Sequence, residues 1–258
     1  MNYYNEWDKH AAAWLKALIA DGLIPKGEVD TRSITEVQPS DLAGFTECHF
    51  FAGIGGWPLA LAMAGFPDSR PCWTGSAPCQ PFSQANVGHG EKKGRGDSRH
   101  LAPAFVSLIE VCRPPVVFGE QVAAAIGEGW LDELFNELER QNYACGAVVM
   151  QASTFGADHE RQRLYWGAHA GSTGREGCEP VKRLPFSAPA AQPITGDNFT
   201  DARRAMAGDI GDLLLCDGVS VTMERHALKG YGNAIVPQVA AEFIRAFMET
   251  ACRPDVSG

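Results

Sequence analysis

Several things are missing from this 258-residue chain, and each absence excludes a class of function. None of the eight cysteines stands in a CxxC pair and none of the seven histidines falls at metal-ligand spacing, so zinc frameworks are excluded and no metal is expected. No apolar run reaches the roughly 18 residues of a membrane helix. The beginning "MNYYNEWDKH" is polar and aromatic rather than basic then apolar, so the expectation is a cytoplasmic, unprocessed protein with no membrane partner. Positive charge is scarce: 22 Lys and Arg face 31 Asp and Glu, a net charge of −9. That balance argues against a uniformly basic nucleic-acid surface but leaves room for a local basic face on an acidic whole. No internal repeat is present. With 45% hydrophobic and 21% charged residues, the composition fits a soluble globular chain of one main domain, with space for a small appended lobe.

What is present alternates. A short strand over Asn2–Asn5 leads into a helix through "HAAAWLKALIADG", whose apolar residues recur at helical spacing until Gly22 and Pro25 stop it. "ECHFFAGIGG" reads as a buried strand entering a glycine turn, and "WPLALAMAGF" as the helix behind it. A strand at "PCWTGS", a polar loop, a helix from Pro103 to Val111 and the strand "PPVVFGE" follow. Then come the amphipathic helix "GWLDELFNELERQNY", the strands "ACGAVVMQA" and "RLYWGAHA", and a last helix "VPQVAAEFIRAFMETAC". Strands alternating with helices predict an α/β fold on a mostly parallel sheet. From Gly171 to Asp212 periodicity gives way to Gly, Pro, Ser and charge, which predicts a loop-rich lobe or a linker, and the pattern resumes at "DLLLCDGVS".

Five stretches carry candidate chemistry. Glu6 ends a strand as the ribose-binding acid does in doubly wound nucleotide folds, yet no glycine turn precedes it. The glycine turn "FFAGIGG" lies downstream, and alone it is as compatible with a tight packing corner as with a ligand at a helix N-terminus. In "GSAPCQPFS", Cys79 sits between prolines just after a strand; it is either a buried small hydrophobe or a thiol held at the carboxyl edge, where α/β crevices form. Glu120 ends the apolar run "VVFGE", so it is either a surface acid or one whose pKa is raised by desolvation, as suits a general acid. Arg161 and Arg163 in "HERQRLYW" fall two apart on one face of a strand, either as an exposed basic edge or as a pair reaching an anion or a polarised oxygen.

Together the pieces "FAGIGG", "PCQPFS", "GEQV", "HERQRLY" and "GYGNAIVPQVA", in this order, resemble the cytosine-5 DNA methyltransferase family over most of the chain. The resemblance implies a Rossmann-like class I methyltransferase fold with a mostly parallel sheet and a small loop-rich target-recognition lobe. It also implies transfer of a methyl group from S-adenosylmethionine to carbon 5 of a cytosine flipped out of double-stranded DNA. Cys79 is then the nucleophile that adds to carbon 6, Glu120 the group that protonates or hydrogen-bonds ring nitrogen 3, and Arg161 and Arg163 the residues that position the pyrimidine. No metal is required, and a monomer is expected.

The cofactor residues carry over in the same way. Phe51, Gly53, Ile54 and Gly55 match the turn that wraps the cofactor, Pro78 and Leu101 the nucleophile-side loop, and Asn233 the closing motif. "NEWD" resembles the second-strand motif, with Glu6 on the ribose hydroxyls and Trp7 against the adenine. "VDTRSITEV" resembles the third, with Asp30 on the adenine amine and Ile34 beside it, Ser33 being a rival. Both precede the glycine turn, so the resemblance implies a permuted order, with "CHFFAGIGG" central between "NYYNE" and "CWTGS". Substrate contacts are expected from Gln80, Ser83, Lys92, Lys93, Arg95, Arg99 and Gln121, and phosphate contacts also from Lys182, Arg183, Arg203 and Arg204. The expected division is a catalytic domain over residues 1–170 and 224–258 and a target-recognition region over 171–223. Gln121 stands where the signature has Asn, His159 where it has Gln, and Ser76 where Gly is common. The same chemistry on transfer RNA, a non-catalytic cofactor-binding module and a folate-dependent pyrimidine modifier are the competing readings.

Overall fold

The structure is a computed structural model that describes residues 1–77, 101–157, 160–171 and 234–251. Its strands are β1 (Asn2–Asn5), β2 (Gly27–Asp30), β3 (Glu47–Phe50), β4 (Cys72–Gly75), β5 (Val116–Val122), β6 (Tyr143–Gln151) and β7 (Gln162–Ala170). Its helices are α1 (Lys9–Ala20), α2 (Gly56–Ala64), α3 (Ala102–Cys112), α4 (Trp130–Arg140) and α5 (Pro237–Ala251). One sheet runs in the order β2-β1-β3-β4-β5-β7-β6, parallel from β2 to β5 and antiparallel where β7 joins β5 and β6. The strand that feeds the glycine turn lies between β1 and β4, as the sequence predicts.

Burial on both faces explains the apolar texture of the central strands, since every residue of β1, β3 and β4 is buried. Alternation sends Tyr3 and Phe50 to the face covered by α3 and α4, in a cluster with Trp73, Phe105, Ile109 and Leu138. The opposite face packs Trp57, Phe118, Tyr165, Phe243 and Ile244 under α2 and α5. Alongside it, Tyr4 meets Leu15 and Leu18 of α1. The Asp8 side chain caps α1 by accepting from the backbone N–H groups of His10 and Ala11, at 2.9 and 3.3 Å.

Polar groups inside the sheet are paired across three strands. Asn2 donates to Glu47 at 2.6 Å, His49 lies 3.3 Å from the same carboxylate, and His49 Nδ1 shares a 2.9 Å hydrogen bond with Thr74 Oγ1. These contacts fix the β1-β3-β4 register from inside, because a slip would strand buried polar atoms.

Gly119 has a packing reason within β5. A Cβ built there meets the Trp166 ring at 2.2 Å, and Trp166 is buried. Gly119→Ala is therefore expected to destabilise the fold by about 1–3 kcal/mol through overpacking. Urea denaturation measures this, and an unchanged midpoint would contradict the packing assigned here.

Candidate functional site at the carboxyl edge of the sheet

Register builds the site. Asp30 pairs with Asn5, Asn5 with Phe50, Phe50 with Gly75, and Gly75 with Gly119. One residue past this row stand Glu6, Phe51, Ser76 and Glu120, so segments far apart in sequence reach a common edge. Antiparallel β7 brings Arg163 opposite Val122 at the same edge.

At the β1–β3 side, the Glu6 carboxylate accepts the backbone N–H of Gly53 at 2.7 Å and that of Asp8 at 2.8 Å. The turn is tied to β1 a second time where Ala52 N–H donates to the Asn5 carbonyl at 3.0 Å. Phe51 holds φ at +52°, a left-handed conformation rare for a side chain of this size. Such strain concentrates at sites where the backbone must present itself to a ligand. Gly55, at φ +86°, caps α2, and a Cβ there would already touch Leu15 and Leu18 at 3.4 Å. Ile54 is half-buried, and the Trp7 ring is 75% exposed beside Glu6.

The neighbouring positions are more committed. Asp30 accepts from the Tyr3 hydroxyl at 2.7 Å and from Arg32 through Nε at 2.9 Å and Nη2 at 2.6 Å. Burial works to raise its pKa, but the Arg32 and Tyr3 hydrogen bonds outweigh that and hold it below the usual carboxylate value. Any further donor to Asp30 would compete with Arg32. Ser33 caps the 3₁₀ turn Ile34–Glu36, and Ile34 is 3% exposed within the core. Leu101 opens α3, whose Phe105 ring meets Phe51 edge-on with centroids 6.5 Å apart.

On the β5 side, Glu120 is buried, with Arg163 Nε 2.8 Å from its Oε1. Burial pushes its pKa up to about 7, against the lowering influence of Arg163 and then Arg161. Desolvation wins, leaving a carboxyl that can hold or give a proton near neutrality. Arg161 donates through Nη2 to the Ala234 carbonyl at 2.6 Å, fastening the closing segment to the start of β7. Burial lowers its pKa, with Arg163 adding to the effect. Gln121 turns to the other face of β5 and donates to the Ala77 carbonyl at 3.2 Å, bracing the end of the β4 segment.

The structure thus brings Glu6, Phe51, Gly53, Gly55, Glu120, Gln121 and Arg163 to one edge. Pro78, Cys79, Gln80, Ser83, Lys92, Lys93, Arg95, Arg99, His159, Lys182, Arg183, Arg203, Arg204 and Asn233 lie outside the described residues. Sequence reasoning missed Trp57, which donates through its indole to Ser76 Oγ at 2.9 Å. An aromatic directly after a glycine turn was the available signal. Among the described residues, no group of three His, Cys, Asp or Glu could hold a metal, and no helix is long and apolar enough to cross a membrane.

Comparison with known proteins places this geometry in context. Residues 66–215 match the family model described as C-5 cytosine-specific DNA methylase. The Type II methyltransferase M.AplI of Arthrospira platensis is 29% identical over 151 residues, which is 45% of this chain and 43% of that protein. The chain therefore matches less than half the length of that relative. Among solved structures, the S. pombe Dnmt2 methyltransferase aligns over 98% of this chain and 100% of its own with a TM-score of 0.53 and 12% identity, a likeness of fold. A Spodoptera frugiperda DNMT2 mutant aligns over 72% of this chain and 55% of its own, with a TM-score of 0.43 and 14% identity.

The raised pKa of Glu120 has a definite sign in stability. The unfolded carboxyl ionises near 4.5 and the folded one near 7, so the folded state binds more protons between these values and stability falls as pH rises through that window. Glu120→Gln does not titrate. Its stability relative to the parent is expected to be higher at pH 8 than at pH 4.5 by about 2–3 kcal/mol, read from urea midpoints. A difference independent of pH would contradict the desolvated carboxyl.

Proposed function

Because the chain belongs to the C-5 cytosine-specific DNA methylase family, we propose that it methylates carbon 5 of cytosine in double-stranded DNA, with S-adenosylmethionine as donor and Cys79 as covalent nucleophile. The observation that carries the reading is the Glu120–Arg163 pair, a protonatable carboxyl beside a fixed cation, one residue past the row that also presents Glu6 and the Gly53 turn.

The residues present fit the donor. The Glu6 carboxylate, already accepting the Gly53 N–H, suits a pair of ribose hydroxyls, and the exposed Trp7 ring offers an apolar plane for a purine. Phe51, Gly53, Ile54 and Gly55 form the turn on which the rest of the molecule would lie, with Pro78, Leu101 and Asn233 from the flanking loops. Asp30 or Ser33, and the buried Ile34, would close the adenine end. The bound donor supplies an electrophilic methyl group.

The chain's own residues do the activation. Carbon 5 of cytosine is a poor nucleophile, and addition of the Cys79 thiolate to carbon 6 makes the ring an enamine that is reactive at carbon 5. Charge then builds at ring nitrogen 3, where protonated Glu120 can give its proton. Arg163, in contact with Glu120, stabilises the carboxylate left behind and directs it toward the ring. Carbon 5 then gains the methyl group, with the donor's sulfur–methyl bond broken and its sulfur left as a neutral thioether. Loss of the carbon 5 proton to water, return of the nitrogen 3 proton to the Glu120 carboxylate and expulsion of Cys79 would restore aromaticity and free the thiolate.

Residues 1–170 with 224–258 form the catalytic domain in this reading, and 171–223 the target-recognition region. Segments holding the ribose acid and the adenine partner precede the glycine turn in the chain, and the β2-β1-β3 order supports their use at the same turn. In this reading Gln80, Ser83 and Gln121 would contact the base, and Lys92, Lys93, Arg95 and Arg99 the phosphates. The test is transfer of labelled methyl from S-adenosylmethionine to duplex DNA, transfer RNA or dCTP. Label in duplex DNA at cytosine, abolished by Cys79→Ala, is the expected result. Label in RNA alone would move the substrate class, and full turnover by Cys79→Ala would overturn the mechanism.

A further inference from the structure

Trp57 follows the glycine turn directly and is 2% exposed, yet nothing in the proposed chemistry uses it. Its surroundings are unusual for a core residue. The indole N–H donates to Ser76 Oγ at 2.9 Å, and the ring stacks on Phe118 with centroids 6.4 Å apart and planes at 14°. It also meets Tyr165 edge-on at 6.4 Å. Phe118 lies two residues before Glu120 on the same face of β5, and Tyr165 is the residue paired with Glu120 across β7. Beside it, Gly56 leaves room for Ile235, whose Cγ1 would stand 2.7 Å from a Cβ there. One side chain and its neighbour therefore touch the turn, the end of β4, the strands that hold Glu120 and the closing segment.

The Ser76 hydroxyl is what accepts the indole N–H. A glycine there would leave a buried donor unmatched. Ser76 also precedes Cys79 by three residues, and Ala77 is braced from the other side by Gln121.

We propose that Trp57 is a positioning residue: through its hydrogen bond to Ser76 it fixes the end of β4, three residues ahead of Cys79 in sequence, relative to the glycine turn and Glu120. The proposal rests on the reading of Cys79 as the nucleophile. It acts through geometry, and reaction rates respond steeply to small misplacements of reacting groups.

The full chain carrying Trp57→Phe, Ser76→Gly or both tests it. Phenylalanine keeps a ring against Phe118 while removing the N–H. Each single change is expected to lower kcat for methyl transfer by about tenfold or more at saturating donor. Affinity for S-adenosylhomocysteine should stay at the parent value. The double variant should be no slower than the slower single, since both changes remove one bond. Wild-type kcat in Trp57→Phe, or losses that multiply in the double variant, would overturn the proposal, as would a fall in melting temperature with kcat intact. A second readout is independent of turnover: the rate of iodoacetamide alkylation at Cys79, mapped by mass spectrometry against Cys112. The proposal requires that rate to change in both single variants with Cys112 constant, and equal rates at Cys79 overturn it. If the parent chain methylates no cytosine-bearing molecule, the functional reading fails and the alkylation rates alone decide the positioning role.

Discussion

Parallel pairing in one register is the constraint on which the rest depends. Asp30, Asn5, Phe50, Gly75 and Gly119 form a line across five strands, held in place by the buried Asn2–Glu47–His49–Thr74 chain of polar contacts. Glu6, Phe51, Ser76 and Glu120 then stand one residue beyond that line. A slip of one residue in β1 would carry Glu6 away from Gly53 and send Tyr3 and Tyr4 to the wrong faces, so packing and chemistry are specified by the same register.

Two opposed electrostatic settings sit along that edge. Near β1 and β2, Asp30 is ringed by donors and kept ionised. Near β5, Glu120 loses more to burial than it regains from Arg163 and Arg161, and it is kept protonatable. Groups with the same carboxyl chemistry are thus pushed in opposite directions by their surroundings, one held ionised and the other left protonatable near neutrality.

Much of this was legible in the chain. The charged and apolar alternation of "WLDELFNELER" gives α4, and the apolar run before "GIGG" gives the central strand β3. The position of β1 beside β3 also followed from reading Glu6 as the acid of a turn that comes later. β2 was harder to see, because "GEVD" is a short edge strand whose residues are half-exposed and do not form an apolar run. The antiparallel placement of β7 between β5 and β6 has no periodic signature. Contacts made at long separation were also hidden, as with Arg161 to Ala234, 73 residues on, and Trp57 to Ser76. Periodicity reports which face a residue takes, and the partner it meets depends on how the strands are ordered.

The central claim is that an acid lying ahead of the glycine turn in the chain completes the same cofactor site. The most direct test is a calorimetric cycle with S-adenosylhomocysteine and its analogue lacking both ribose hydroxyls, each titrated into the parent chain and into Glu6→Ala. Loss of the hydroxyls should weaken binding to the parent by about tenfold or more, and should make little difference to Glu6→Ala. If Glu6→Ala discriminates between the two ligands as strongly as the parent does, Glu6 does not hold the ribose and the account is wrong.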